Sequence, residues 1–435
     1  MKFLPAPHDM THATAARFPR HALSFALFAA VCGPAAAAAD EPFPYYIGVS
    51  QTETADSNVL RQPDNGSRTP RDLISSTALI AGLDQPLGRG RLAVDLNVNT
   101  NNFKNHKELN YTGGEGNLRL DWETLHRISG DISLHQQNSL YRSNPSTSVV
   151  VTDRDVLRNS GADFHARIGV VTMWSLESGI SYDQSRHSSS TQAFQDLNQR
   201  AGNVGVRFRP NDIWSVRLGV RETRAEYPHI AYQNGNAISD DVRRKDVDLS
   251  GDWAPSGASK LDARVSSTRE KHSLGGARDV HTWTGLLGYN WTLTGKTRLR
   301  ATLARDSNVG NSDSELKLTP SDVTLRSAND SQLRNRLSLQ GTWDATAKLS
   351  ADLGYGYVRS KLNNSQTLAA IGASNSLNAH DTTHTVGLGL TYRPTRSLQF
   401  GCKLSHEERS TDDATQQLSF PYKVNTASCQ AQFRI

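Results

Sequence analysis

RLAVDLNVN, residues 91–99, alternates apolar and polar side chains with a period of two. Leu92, Val94, Leu96 and Val98 share one face; Arg91, Asp95, Asn97 and Asn99 share the other. Successive side chains of an extended chain point to opposite sides, so this is a strand with one greasy and one wet face. The pattern recurs along the chain. Leu118, Leu120 and Trp122 oppose Arg119, Asp121 and Glu123. Phe164, Ala166 and Ile168 oppose Asp163, His165 and Arg167. Val216, Leu218 and Val220 oppose Arg217 and Arg221. Leu333, Leu337, Leu339 and Trp343 oppose Arg334, Arg336, Ser338 and Gln340. Leu349, Ala351, Leu353, Tyr355 and Tyr357 oppose Ser350, Asp352, Gly354 and Gly356.

The breaks between these stretches alternate in length. Short ones carry turn residues: QPLGRG (85–90), RPND (209–212), APSGAS (254–259), LTGK (293–296), DATAK (344–348) and RPTRS (393–397). Long ones are polar and lack periodicity, over roughly 56–70, 101–112, 143–157, 184–192, 224–244, 271–279, 306–331 and 359–381. Transmembrane β-barrels have this asymmetry, with short periplasmic turns and long extracellular loops. The expected fold is all-β: an antiparallel up-and-down transmembrane barrel of about 18 strands, with 16 as the alternative count. An even count brings both termini to the periplasmic side of a bacterial outer membrane.

The tryptophans test this arrangement independently. Trp253, Trp291 and Trp343 end strands just before short turns, and Trp174 and Trp214 begin strands just after them. Trp122 precedes a turn expected near Ile128–Gly130, and Tyr392 precedes RPTRS. Six of seven tryptophans therefore gather at one end, as a periplasmic aromatic girdle requires. Core aromatics of a soluble sheet would scatter along the strands.

Composition agrees. Only 36% of the 435 residues are apolar, and mean hydropathy is −0.55, poor for a conventional core of this size. A barrel needs apolar residues at only every second strand position. Lys2, Arg17 and Arg20, the apolar run 22–32 and the small residues Ala35–Ala39 read as a cleaved signal peptide over 1–39, leaving 40–435 as one barrel domain. An anchor helix would need a longer apolar run, and Val31 is too large to precede a lipidated Cys32. Removing Lys2, Arg17 and Arg20 with Asp9 lowers the net charge from +5 to +3, too slight to imply a nucleic-acid partner.

Chemistry is expected on the wet inner face. Candidate lumen-lining cations are Arg167, Arg207, Arg217, Arg221, Arg264, Arg298, Arg300, Arg334 and Arg336. Candidate acids among them are Asp95, Asp163, Asp248 and Asp262. Rows of arginine bind carboxylates and phosphates, so such a lining suits a hydrated or anionic polymer. Mixed charges that merely pair across strands are the plainer reading. Cys402 and Cys429 fall on the apolar faces of the last two strands. A hairpin centred near 415–416 sets them opposite one another, as a disulfide or as two unrelated lipid-facing residues. His380 and His384 have helical metal-ligand spacing in a segment that is not helical, so no metal is expected. The sequence holds no G-x-S-x-G, H-E-x-x-H or P-loop, so neither a cofactor nor an enzymatic activity is expected.

The opening Tyr45-Tyr46-Ile47-Gly48-Val49, followed by Thr54-Ala55-Asp56-Ser57-Asn58-Val59-Leu60-Arg61, resembles the first strand of several Gram-negative barrel families. With its length and strand rhythm, the chain over 43–435 resembles the EpsL-type barrels of exosortase-associated extracellular polysaccharide loci. The resemblance implies export of a polysaccharide across the outer membrane, with outer-membrane lipid, the polymer and periplasmic export proteins as partners. The alternatives are a general diffusion or nutrient-uptake porin, and a soluble β-rich binding protein of the periplasm or surface.

Overall fold

The computed structural model describes residues 44–63, 69–124, 128–142, 154–169, 172–233, 236–274, 279–307, 331–368, 373–413 and 419–435. The segment read as a signal peptide lies outside them. Residues Pro44–Ile435 form one compact unit.

That unit is built of eighteen strands: β1 (Tyr45–Asp56), β2 (Asp72–Leu87), β3 (Gly90–Phe103), β4 (Tyr111–Glu123), β5 (Ile128–Leu140), β6 (Val156–Ile168), β7 (Trp174–His187), β8 (Leu197–Phe208) and β9 (Trp214–Gln233). They continue with β10 (Asn236–Ser256), β11 (Ser259–His272), β12 (Val280–Thr294), β13 (Thr297–Ser307), β14 (Ser331–Asp344), β15 (Leu349–Leu368), β16 (Ala373–Tyr392), β17 (Leu398–Thr411) and β18 (Tyr422–Arg434). Each strand pairs antiparallel with the next, and β18 returns to β1 from Gly48↔Arg434 to Asp56↔Thr426. Ile47 and Ile435 exchange both backbone hydrogen bonds, at 2.9 and 3.1 Å. The sheet has no free edge, so its backbone groups are satisfied internally, the condition for crossing a bilayer.

At one end the strands join by tight connections. β2 and β3 are linked by Gly88 and Arg89 alone, and Gly88 has φ +61°, a conformation glycine enters without Cβ strain. Both Pro44 and Ile435 lie at this short-turn end. The turn expected near Ile128–Gly130 comes slightly earlier, because those residues already form the start of β5.

Two expected loops are largely strand. Residues 224–244 extend β9 and β10, and 359–381 extend β15 and β16. The apolar alternation stops there while hydrogen bonding continues. Beyond the bilayer neither face of a strand must be greasy, so pairing persists without leaving a hydropathy signal.

The outward positions of the strands form the apolar belt read from the sequence. Leu79, Ile180, Leu218 and Leu353 are each about 60% exposed, and many further large apolar side chains join them. Each such side chain moved from water into hydrocarbon gains about 1.5–3 kcal/mol, so the belt seats the barrel in a membrane and argues against a water-soluble protein. Trp174, Trp214, Trp253, Trp291, Trp343 and Tyr392 are all exposed at the short-turn rim, and Trp122 is half-exposed there. Trp214 faces Trp253 directly across β9 and β10, and Trp174 packs on Phe208 with ring centroids 4.5 Å apart. Trp283 lies on the outer face toward the long-loop end, beneath Arg305.

Candidate functional site

The lumen is the candidate site. All thirteen expected lining residues lie on inward-facing strand positions, and most bind their neighbours. Arg207 pairs with Glu177 at 2.7 Å and also with Asp252, while Arg217 reaches Glu177 at 3.0 Å. Arg221 sits 3.3 Å from Asp246 and 3.5 Å from Asp248. Arg167 reaches Asp131 at 3.4 Å, and Arg298 reaches Asp344 at 2.9 Å. Asp163 accepts from Ser133 at 3.2 Å, and Asp262 pairs with Lys260 at 3.1 Å. Asp95 accepts from the Tyr46 hydroxyl at 3.2 Å. Gly82 makes that contact possible, since a Cβ there would lie 2.2 Å from the Tyr46 ring.

Arg167, Arg207, Arg217 and Arg264 line a cavity of about 880 Å3 that opens in the short-turn half along the β4–β13 wall, with Arg119 and Arg300. Arg300 donates to Asn290 at 2.9 Å, and neither it nor Arg336 has a carboxylate partner among the described residues. With Arg334, they make an inward cationic strip on β13 and β14 that climbs from the cavity toward the long-loop end.

That end is narrowed by residues that sequence reasoning did not gather. After β1 the chain folds inward as a self-bonded turn. The Asn58 backbone donates to Asp56 at 2.9 Å, the Asn58 side chain exchanges hydrogen bonds with Gln62, and Arg61 donates to both Asn58 O and Asp56. Arg61 has φ +51°, which these bonds hold. Val59 then packs, fully buried, on Ile74, Phe103 and Leu109. From other strands, Arg142 reaches Asp56 at 3.0 Å, and Glu407 lies 3.9 Å from Arg61 while accepting from Tyr422 at 2.7 Å. Tyr141, following β5, donates to Gln195 at 2.8 Å and packs edge-on against His187, and it lies in the field of Arg334 on β14 and Arg409 on β17.

Electrostatics sorts the two loop arginines. Burial works to lower the Arg61 pKa, but Asp56 and Glu407 outweigh it and raise it. Burial, together with the charge of Arg61, pulls Arg142 below its ordinary value. Arg409, also buried, stacks on Tyr422 at 4.9 Å, and its Nη1 makes no hydrogen bond among the described residues.

The signal for this knot was present in the Asp56–Arg61 segment but carried no role on its own. A second buried network was hidden because its strand reads as loop: Arg244, fully buried, is held by Asp246 at 2.9 Å and Asp306 at 2.8 Å. Inward aromatics collect at this mouth as Phe103, Tyr141, Phe420 and Tyr422.

Cys402 and Cys429 are directly opposed on the outer face, with their sulfurs bonded and Cα atoms 4.1 Å apart. His380 and His384 both lie within β16, where four residues span about 13 Å. His380 pairs with Asp412 at 3.0 Å, and His384 with the Tyr355 hydroxyl at 3.1 Å. Among the described residues no group of three or more His, Cys, Asp or Glu side chains is placed to hold a metal ion.

No family model matches this chain, and no characterised relative does. Among solved structures, OccAB3 of Acinetobacter baumannii matches 90% of the chain and 99% of its own length, at 10% identity and a TM-score of 0.45. OpdK of Pseudomonas aeruginosa matches 90% and 98%, at 11% identity and 0.44. The FrpB iron transporter of Neisseria meningitidis matches 89% and 82%, at 9% identity and 0.45.

Proposed function

We propose that this chain is an outer-membrane conduit through which an anionic extracellular polysaccharide leaves the cell, with both termini in the periplasm. The observation that carries the reading is the strip of Arg300, Arg336 and Arg334. It leads from the cavity toward Arg409, and two of its members, Arg300 and Arg336, have no carboxylate partner among the described residues. Successive sugar carboxylates can pass along such a row, each bound by charge-assisted hydrogen bonds and each released to the next. The resemblance of residues 43–435 to EpsL-type barrels, in length, strand rhythm and opening, implies a polysaccharide cargo. The outer membrane has no ATP and the sequence has no nucleotide site, so the driving force comes from polymer synthesis or periplasmic partners.

A diffusion or uptake porin is the second reading. It is favoured by the pinned mouth and by a cavity of about 880 Å3, which accommodates a small solute more readily than a chain. Deleting the gene separates the two. Export predicts loss of surface polysaccharide and block of the reconstituted channel by long oligouronates. Uptake predicts intact polysaccharide and liposome swelling in small sugars, and that outcome overturns the export reading.

A further inference from the structure

The outer wall of β8–β11 carries a concentration of positive charge where its apolar belt ends toward the long loops. Reading outward positions up these strands from the short-turn rim, β9 presents Trp214, Val216, Leu218 and Val220, then Glu222 and Arg224. β10 presents Trp253, Leu249 and Val247, then Lys245 and Arg243. β11 presents Leu261, Ala263, Val265 and Ser267, then Arg269 and Lys271. The register aligns them. Arg200 faces Arg224, which faces Arg243, which faces Lys271; one step down, Lys245 faces Arg269. All six cations are exposed.

Like charges directly opposite in a sheet repel and destabilise it. Here they occupy adjacent positions on four strands, a patch about 14 Å across at ordinary strand spacing. Only Glu222 lies within it, bridging Arg224 and Arg243 at 3.0 Å each; Glu226 and Asp241 sit in the row above. Lys245, Arg269 and Lys271 have no ion pair among the described residues, and Arg200 has only the Tyr182 ring, at 5.7 Å. On the opposite wall the outward polar groups are mixed or neutral and already bonded: Lys423 pairs with Glu408, and Gln51, Glu53, Ser75 and Thr77 bond among themselves.

The height of the patch selects its partner. From Trp253 to Arg243 the strand runs about 33 Å, which at a tilt of about 40° rises about 25 Å, the height of the apolar band of such barrels. The cations therefore sit at the headgroup boundary of the leaflet nearest the long loops, where a soluble anion gains nothing from the apolar belt below. We propose that this wall is a docking site for a phosphorylated glycolipid. Its phosphates would bridge Lys245, Arg269, Lys271 and Arg243, and its acyl chains would lie down the Val220–Val247–Val265 surface. Arg and Lys clusters hold phosphate through multiple charge-assisted bonds, and the bilayer supplies the chains.

Native mass spectrometry of the detergent-folded full-length barrel tests this, with bis-phosphorylated lipid A, its phosphate-free form and inorganic pyrophosphate as probes. The wild type should hold the bis-phosphorylated lipid at least tenfold more tightly than either of the others. K245Q/R269Q/K271Q removes cations that lack carboxylate partners and should abolish that preference. K423Q, on the opposite wall, should keep it, and heat-modifiable gel mobility verifies that each variant is folded. Equal binding of the phosphate-free lipid, pyrophosphate binding as tight as the lipid's, a preference retained by the triple variant, or one lost equally in K423Q would each overturn the assignment. Should the triple variant not fold, the wild-type comparison of the two lipids decides alone.

Discussion

Arg142, just past the end of β5, donates to Asp56, the last residue of β1, at 3.0 Å. Three strands separate them around the barrel, so the bond crosses the inside of the mouth. Arg61 binds the same carboxylate from the turn that follows β1. Asp56→Asn strands the buried Arg61 and the part-buried Arg142, and removing one partner of a buried pair typically costs about 3–5 kcal/mol. That is more than a short turn can absorb, so the turn should leave the lumen while the sheet persists. Single-channel conductance is expected to rise at least twofold. An unchanged conductance would show that this turn does not narrow the path.

Leu249 and Ser250 are neighbours with opposite fates. Leu249 points outward in the middle of the apolar belt and is 54% exposed, whereas Ser250 faces the cavity. Leu249→Arg should cost about 2–4 kcal/mol of barrel stability, the usual penalty for a cation on the lipid face near the midplane. Ser250→Arg should leave the unfolding midpoint in urea nearly unchanged and raise anion selectivity. Equal destabilisation by both substitutions would refute the assignment of faces.

The fold was legible because one physical rule, grease outward and charge inward, repeats at every second residue. Leu92 and Asp95, or Val216 and Arg217, declare their faces within a few positions. Strand ends were legible only where the bilayer imposes that rule, so β9, β10, β15 and β16 run well past the limits read for them. The lining residues were readable one at a time, but their convergence was not. Arg142 meeting Asp56 depends on inward folding of connections, and Arg244 meeting Asp306 on the strand register from β10 to β13, and neither is a local property of the sequence. The opposition of Cys402 and Cys429 was readable as a geometric option because a hairpin has a simple register; bond formation was not.

The cysteines give a direct chemical test. Cys402 and Cys429 enclose a sequence separation of 27 residues, for which the chain-entropy model allows up to about 3.5 kcal/mol. Barrel closure already restrains β17 and β18, so Cys402→Ser with Cys429→Ser should cost less than that and still fold. Alkylation of denatured, unreduced protein purified from the membrane should modify neither cysteine, and both should react once reductant is added. Two alkylated cysteines before reduction would disprove the bond.

Arg300 and Arg336 should set ion selectivity at little cost in stability. Guanidinium stays charged at any working pH, and neither side chain neutralises a carboxylate that would be left bare by its removal. Arg300→Gln with Arg336→Gln should move the reversal potential toward cation preference and weaken block by oligouronates, with the unfolding midpoint nearly fixed. Arg207→Gln is the contrast. It leaves Glu177 and Asp252 facing each other without their shared cation, at a half-wet site where screening limits the cost to about 1 kcal/mol. Its expected signature is a measurable loss of stability and a further gain in cation preference, as Asp252 loses its arginine and Glu177 keeps only Arg217. A double variant that shifts stability but not selectivity would mean the β13–β14 strip is scaffolding, and the ions pass elsewhere in the lumen.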